Sequence, residues 1–323
     1  MRQRNHGQHR GGGGGGQHDR GLSSDNAVVN RAHATFRSPS EHYENFPVAS
    51  WLCPPFLRAP IAAIYWFART ADDIADEGTA SADQRLARLS GLRLDLLAAG
   101  NLQPHSGQWP QVFDPLSDAI TRFGLPMHLL HDLLDAFVQD VVFTAAHRRY
   151  QTDAELHDYC KRSANPVGRL LLHLYGIHDD DSLARSDQIC TALQLINFWQ
   201  DLQRDIARAR WYASVEQMVY HSVRDADLLQ DAACIPASRM VASYAASARS
   251  RMLHGAPLAD RIPGRAGWEL RLVIQGGLRI LEKIAAMEHA TWRSRPRIGK
   301  SDLPLLVWRA WRRDYGQRAP APA

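Results

Sequence analysis

Two segments of this chain repeat one pattern, carboxylates set four residues apart inside an apolar, helix-like run. The first is Thr70-Ala71-Asp72-Asp73-Ile74-Ala75-Asp76-Glu77 and the second is Asn197-Phe198-Trp199-Gln200-Asp201-Leu202-Gln203-Arg204-Asp205. Residues i and i+4 of an α-helix share a face, so Asp72 and Asp76 form one acidic stripe and Asp201 and Asp205 another. Each stripe extends backwards at helical spacing, through Tyr65 and Arg69 in the first and through Gln194 and Asn197 in the second. Neither has polar surroundings: Ile61, Ile64, Trp66 and Phe67 precede the first, while Leu193, Leu195, Ile196, Phe198 and Trp199 surround the second. Carboxylates in such settings are costly unless paired or metal-bound. A solvated helix face is the ordinary explanation for one such spacing, but two copies in apolar runs favour a shared pocket for hard divalent cations. Mg²⁺ keeps several waters and takes a few carboxylates with substrate phosphate oxygens, so a pocket of this kind suits a diphosphate held through bridging metals. Arg69 and Arg210 have two readings, salt-bridge partners of these aspartates or direct contacts to diphosphate oxygens.

Around the stripes the periodicity is helical nearly throughout, and alternating strand-like runs are missing. Helical segments are expected over residues 61–75, 83–99, 125–143, 152–175, 186–207, 228–253, 268–292 and 303–315, with a loop rich in Pro, Gly and Ser over 100–115. Thr152, with Glu155 three residues on, has capping-box spacing. At 323 residues and 45% hydrophobic content the chain can bury a full core. The expectation is an all-α fold with a glycine-rich disordered tail over residues 1–26, one helical domain over 27–300, and a basic amphipathic segment and tail over 301–323.

Several function classes drop out. The glycine run at 11–16 is followed by no Gly-Lys-Ser/Thr and preceded by no strand, so it is not a phosphate loop. Cys53, Cys160, Cys190 and Cys234 are scattered, without zinc or redox spacing, and are expected as reduced interior thiols. His42, His128, His131, His147 and His173 lack metalloprotease spacing. The net charge of +4 arises from arginines spread along helix-like segments, with no recognisable nucleic-acid module, so nucleic acid is not an expected partner. Positive charge is concentrated late in the chain, which fits an anionic membrane surface better. With no secretory leader and no apolar run long enough to span a bilayer, a cytoplasmic location is expected, with peripheral contact to the inner membrane. The stretch from Leu303 to Arg313 is apolar, aromatic and basic, as an interfacial helix or as a terminal helix packed on the core.

With these residues in view, the chain resembles the squalene/phytoene synthase family of trans-isoprenyl diphosphate synthases. The stretch His42-Tyr43-Glu44-Asn45-Phe46-Pro47-Val48-Ala49-Ser50, with Tyr65 to Glu77 after it, looks like the bacterial hydroxysqualene synthases within that family. The similarity runs from about Arg37 to beyond Arg279. It implies an isoprenoid synthase type I fold, a single helical domain around a central cavity. It further implies that Asp72, Asp76, Asn197, Asp201 and Asp205 hold Mg²⁺, and that Tyr65, Arg69, Tyr159, Arg210 and Tyr212 act in catalysis. His42, Asn45, Phe46, Gly168 and Gln194, with Arg69 and Arg210, match substrate-binding positions. One departure stands out. Where the family has Gly-Arg-x-Tyr-Leu-Pro, this chain reads Ala209-Arg210-Trp211-Tyr212-Ala213-Ser214, which raises the question of whether the flap over the diphosphate is displaced.

The implied reaction is conversion of presqualene diphosphate and water to hydroxysqualene and diphosphate, in squalene and hopanoid biosynthesis, with other squalene-pathway enzymes as partners. Ionisation of the diphosphate would give a cyclopropylcarbinyl cation that rearranges and captures water. Two alternatives stay open: head-to-head condensation of two farnesyl diphosphates, as in presqualene diphosphate, squalene or phytoene synthases, and an inactive helical lipid-binding or assembly protein.

Overall fold

Where these sequence patterns place helices, a computed structural model of the chain describes residues 53–315, all within one compact unit. The tail expected over 1–26, and the candidates His42, Asn45 and Phe46, lie outside the described residues. Among the described residues there are thirteen α-helices and no strand.

Helix α1 (Pro55–Asp76) starts earlier than its apolar pattern indicates, because Pro55 occupies its first turn, where a missing N–H costs nothing. It runs on through Pro60 and carries the first acidic stripe in its closing turns. Helix α2 (Ala82–Gly100) opens with a reciprocal capping box between Ser81 and Gln84. The loop expected over 100–115 ends sooner, since Pro110 begins α3 (Pro110–Phe123) rather than extending the loop. Helix α4 (Met127–Ala145) follows. The segment expected as one helix over 152–175 is two, α5 (Asp153–Ser163) and α6 (Asn165–Leu174), parted at Ala164. Pro166, with no N–H to continue the ladder, accounts for the break. The Thr152 hydroxyl accepts from the Glu155 amide at 3.2 Å, as its spacing indicates.

The second acidic segment is likewise interrupted. Helix α7 (Asp180–Gln200) ends at Asp201, and the short α8 (Leu202–Ala207) resumes after it. Next come α9 (Val215–Tyr220), α10 (Asp225–Leu229) and α11 (Ile235–Gly255), the last opened by Pro236, then α12 (Gly264–Ala286) and α13 (Leu303–Arg312).

Two apolar clusters organise these helices. One joins α1 to α4 with Leu170 and Leu174 of α6, around Phe67, Leu92, Phe113 and Leu130. The other gathers α5 and α7 to α12 around Trp199, Ile196, Met252 and Ile274. Each large side chain buried this completely contributes roughly 1.5–3 kcal/mol relative to exposure, so both clusters hold their helices firmly. The acidic stripes lie one on each cluster, α1 on the first and α7–α8 on the second. Whatever they bind must therefore sit at the seam.

Candidate active site

Both α1 and α7 end at the seam with their acidic residues, and helix C-termini carry partial negative charge on their unpaired carbonyls. Carboxylates and helix ends therefore combine into a region that attracts cations. The clasp across it is Arg210. Its guanidinium donates to both carboxylate oxygens of Asp76, the Nη1 bond measuring 2.7 Å, and its backbone N–H donates to the Asp205 carbonyl at 2.8 Å. Arg69, one turn before Asp72, donates to that carboxylate at 2.9 Å and also pairs with Asp73 and Glu77. Asp201 is held by the guanidinium of Arg295, through Nε and through Nη2 at 3.2 Å.

The titration behaviour follows from this crowding. Burial, reinforced by the like charge of Asp76 and opposed by Arg69, pushes the Asp72 carboxyl up to about 6. Burial with the neighbouring Asp201 pushes Asp205 to about 8, although Arg210 and Arg208 pull the other way. Burial alone would lower Arg210, but hydrogen bonding to Asp76 and the nearby Tyr212 and Asp140 raise it above its usual value. Carboxyls this unwilling to ionise, all with oxygen donors, form a set that a hard cation would relieve. No three of the described His, Cys, Asp or Glu side chains form a ready cage for a metal.

Behind the acidic end, an apolar cavity runs between the clusters, lined by Ile61 of α1, Leu171 of α6, Ile189 and Leu193 of α7, and Leu270 of α12. Ile61 lies eleven residues before Asp72 on the same helix, roughly 16 Å along the axis at 1.5 Å per residue. The apolar cavity and the first acidic stripe thus share α1, about three turns apart. Gly168 lines the cavity where α6 crosses α7, and a Cβ there would come within 2.3 Å of the Ser186 hydroxyl and 2.5 Å of the Cys190 sulfur. Only glycine permits this approach. Gln194 and Asn197 are half-buried on α7, and Tyr65 is half-buried beside Trp66 on α1.

Residues 40–302 match the family described as squalene/phytoene synthase. The chain belongs to the squalene/phytoene synthase family. It is 33% identical to a hydroxysqualene synthase from Sinorhizobium fredii over 84% of this chain and 88% of that one. It is 28% identical to a presqualene diphosphate synthase from Rhodopseudomonas palustris over 85% and 97% of the respective chains. The crystal structure of a squalene synthase from Alicyclobacillus acidocaldarius is similar at a TM-score of 0.68 and 32% identity, over 77% of this chain and 90% of that chain. The helices thus form the isoprenoid synthase fold of this family of squalene-pathway enzymes.

The altered segment after the second motif forms a closed turn. Helix α8 closes with Ala209 at φ +58°, its N–H bonded to Ile206 and the Arg210 N–H to Asp205, a Schellman turn normally finished by glycine. Ala209 carries the left-handed strain, and Arg210 still reaches Asp76. In the proline position, the Ser214 N–H donates to the Tyr244 hydroxyl at 3.0 Å, and the Ser214 hydroxyl donates to Asp153 at 2.7 Å. Tyr244 in turn stacks on Trp199, so polar bonds to Tyr244 and its ring stack together tie this segment to the second motif.

Tyr159 and Tyr212 are buried in an aromatic group with Tyr150 and Phe198, the Tyr212 and Phe198 rings stacked at 3.8 Å. Two site residues escaped the sequence reading. Asp140, on α4, accepts a 2.6 Å hydrogen bond from Tyr159; burial, opposed by Arg210 and that bond, pushes its carboxyl up to about 7. Arg295 lies in a basic stretch after α12 that gives no local sign of its partner, ninety-four residues away.

Proposed function

We propose that this enzyme converts presqualene diphosphate and water to hydroxysqualene and diphosphate. The observation carrying this reading is the pair of acidic stripes clasped by Arg210, with an apolar cavity farther along α1 and α7. The extent of likeness to the Sinorhizobium fredii hydroxysqualene synthase supports the choice of substrate.

Asp72, Asp76, Asn197, Asp201 and Asp205 would hold Mg²⁺, which when bound supplies Lewis-acid neutralisation of the leaving diphosphate. Arg69 and Arg210 would exchange carboxylate partners for diphosphate oxygens, stabilising charge where it develops. Ile189, Leu193 and their neighbours keep bulk water from the carbocation, and the face of Tyr65 favours positive charge. Gln194 and Gly168 shape the cavity wall. One water adds to the rearranged cation, and its proton passes to the Tyr159 oxygen as the Tyr159 proton moves to the Asp140 carboxylate. Bond and charge then balance: a C–O bond forms, the cation is quenched, and Asp140 ends protonated.

Head-to-head condensation of two farnesyl diphosphates is the second reading, favoured by the match to a presqualene diphosphate synthase over nearly that protein's whole length. Incubating purified protein with Mg²⁺ and either substrate, with mass spectrometry of the products, separates the two. Hydroxysqualene from presqualene diphosphate, with farnesyl diphosphate untouched, is expected. Conversion of farnesyl diphosphate to presqualene diphosphate would replace the first reading with the second.

So insoluble a product calls for delivery at a lipid surface. No helix among the described residues is long and apolar enough to cross a membrane. Helix α13 packs on α12 through Leu306 and Ala310 and exposes Leu303, Val307, Trp308 and Trp311 beside Arg312 and Arg313. This combination suits an anionic bilayer surface. The Trp308→Ala/Trp311→Ala variant is expected to lose sedimentation with phosphatidylglycerol vesicles, and unchanged sedimentation would discard the role of α13.

A further inference from the structure

A second cavity, of about 420 Å³, opens among α4, α5, α6, α7 and α11 and shares no lining residue with either the acidic site or the apolar tail cavity. Two carboxylates, Asp132 and Asp187, line it against three cationic side chains, Arg169, Arg251 and Lys161, and these charges are unevenly placed. On one wall, Arg169 of α6 is neutralised by Asp187 of α7 through two hydrogen bonds of 2.9 and 2.7 Å. The opposite wall carries Arg251 of α11, whose guanidinium, among the described residues, reaches the Gln188 amide oxygen at 3.3 Å and the two ring nitrogens of His157 at 3.4 Å, all neutral or basic groups. The Arg251 Nε is buried and has no hydrogen-bond partner among the described residues.

One turn along α5 from His157, Lys161 also lines the cavity, 3.8 Å from the exposed Asp158 and loosely held. A guanidinium, an ammonium and an imidazole thus gather on one wall. Burial, Arg251 and Lys161 all hold His157 below its ordinary titration range, as expected for a ring among cations. Such a group is unfavourable when empty and becomes favourable around a doubly charged tetrahedral anion, which the guanidinium fork and the ammonium both fit. The buried hydrogen bond between Thr191 and Asn165, 2.9 Å, fixes side chains from α7 and α6 in the lining.

We propose that this cavity is a phosphate-binding site, with Arg251, His157 and Lys161 as the groups that hold the anion. The volume exceeds that of orthophosphate, so diphosphate or a phosphate ester fits as well. The anion comes either free from solution or as a lipid headgroup, and the two sources are separable.

The test uses the full chain in EDTA, which suppresses metal-dependent binding at the acidic site. Titration with inorganic phosphate and diphosphate by calorimetry is expected to show binding that Arg251→Gln weakens tenfold or more. Lys161→Gln, at an exposed position that leaves folding intact, is expected to weaken it about threefold, in line with loss of one charge-assisted bond. Arg69→Gln, at the acidic site, is expected to leave it unchanged. In a second arm, phosphatidylglycerol vesicles replace the free anion. Sedimentation that depends on Arg251 and Lys161, without free-anion binding, assigns the site to a headgroup. Free-anion binding lost in Arg69→Gln but kept in the other two variants overturns the proposal, as does the absence of any dependence on Arg251 and Lys161 in both arms.

Discussion

The two acidic stripes share a sequence pattern but not a construction. The first lies on an unbroken helix: Arg69, one turn before Asp72, has three carboxylates to choose from, and only Asp76 takes a distant partner, Arg210. The second straddles a break: Asp201 sits where α7 ends and is held by Arg295 from far along the chain, with Arg204 of α8 at 3.9 Å, while Asp205 lies in the short α8 and accepts the Arg210 backbone N–H at its carbonyl. A continuous helix holds its carboxylates at fixed spacing. A broken one lets them be placed by what docks against the break. The difference teaches that identical spacing gives one rigid and one adjustable set of ligands, with Arg210 coupling them.

A large effect on stability is expected at Asp140, which feels Asp72 and Asp76 across the seam. Its folded titration point of about 7 lies above the ordinary unfolded value. Its contribution is therefore complete below about pH 4 and is lost as pH rises through about 7, a difference of roughly 4 kcal/mol at 1.36 kcal/mol per unit. Denaturation of metal-free protein from pH 4 to 8 is expected to show wild type losing several kcal/mol more than Asp140→Asn; parallel curves would remove Asp140 from the seam's electrostatics.

Next come the stripes themselves. Asp201→Asn removes one carboxylate from Arg295, only 8% exposed, and is expected to destabilise by roughly 1–2 kcal/mol. Asp72→Asn relieves a crowded carboxyl and leaves Arg69 with Asp73 and Glu77, so it is expected to be neutral or stabilising. Equal destabilisation of both variants in urea would erase the contrast between rigid and adjustable halves. The smallest effect belongs to Ala209→Gly, which relaxes the left-handed turn that aims Arg210. A gain of roughly 1 kcal/mol is expected in the same measurement, and a loss would mean that Ala209 is not strained.

Helical periodicity made the all-α architecture legible, and the i, i+4 spacing identified the acidic faces, since both are local properties of a helix. Thr152 was readable as a cap for the same reason. The break at Asp201 was not, because the apolar pattern continues across it from Phe198 to Ile206 without a proline or glycine. Helix α3 was hidden by Pro110 and Pro115, which read as loop residues although one starts the helix and the other sits inside it. Asp140 and Arg295 were illegible for a different reason. Asp140 sits in an apolar helix like many exposed carboxylates, and Arg295 sits among other arginines, so only tertiary packing distinguishes them. The departure at Ala209 was visible, but its outcome depended on backbone hydrogen bonds that residue types do not display.

The central claim is that both stripes act on one diphosphate. Release of diphosphate from presqualene diphosphate in Mg²⁺, measured for Asp72→Asn, Asp201→Asn and the double variant, tests it directly. Residues that act as a unit lose activity non-additively, so each single variant is expected to fall by about a thousandfold and the double variant to be little slower than either. Losses that multiply, or a single variant at the wild-type rate, would contradict a shared site.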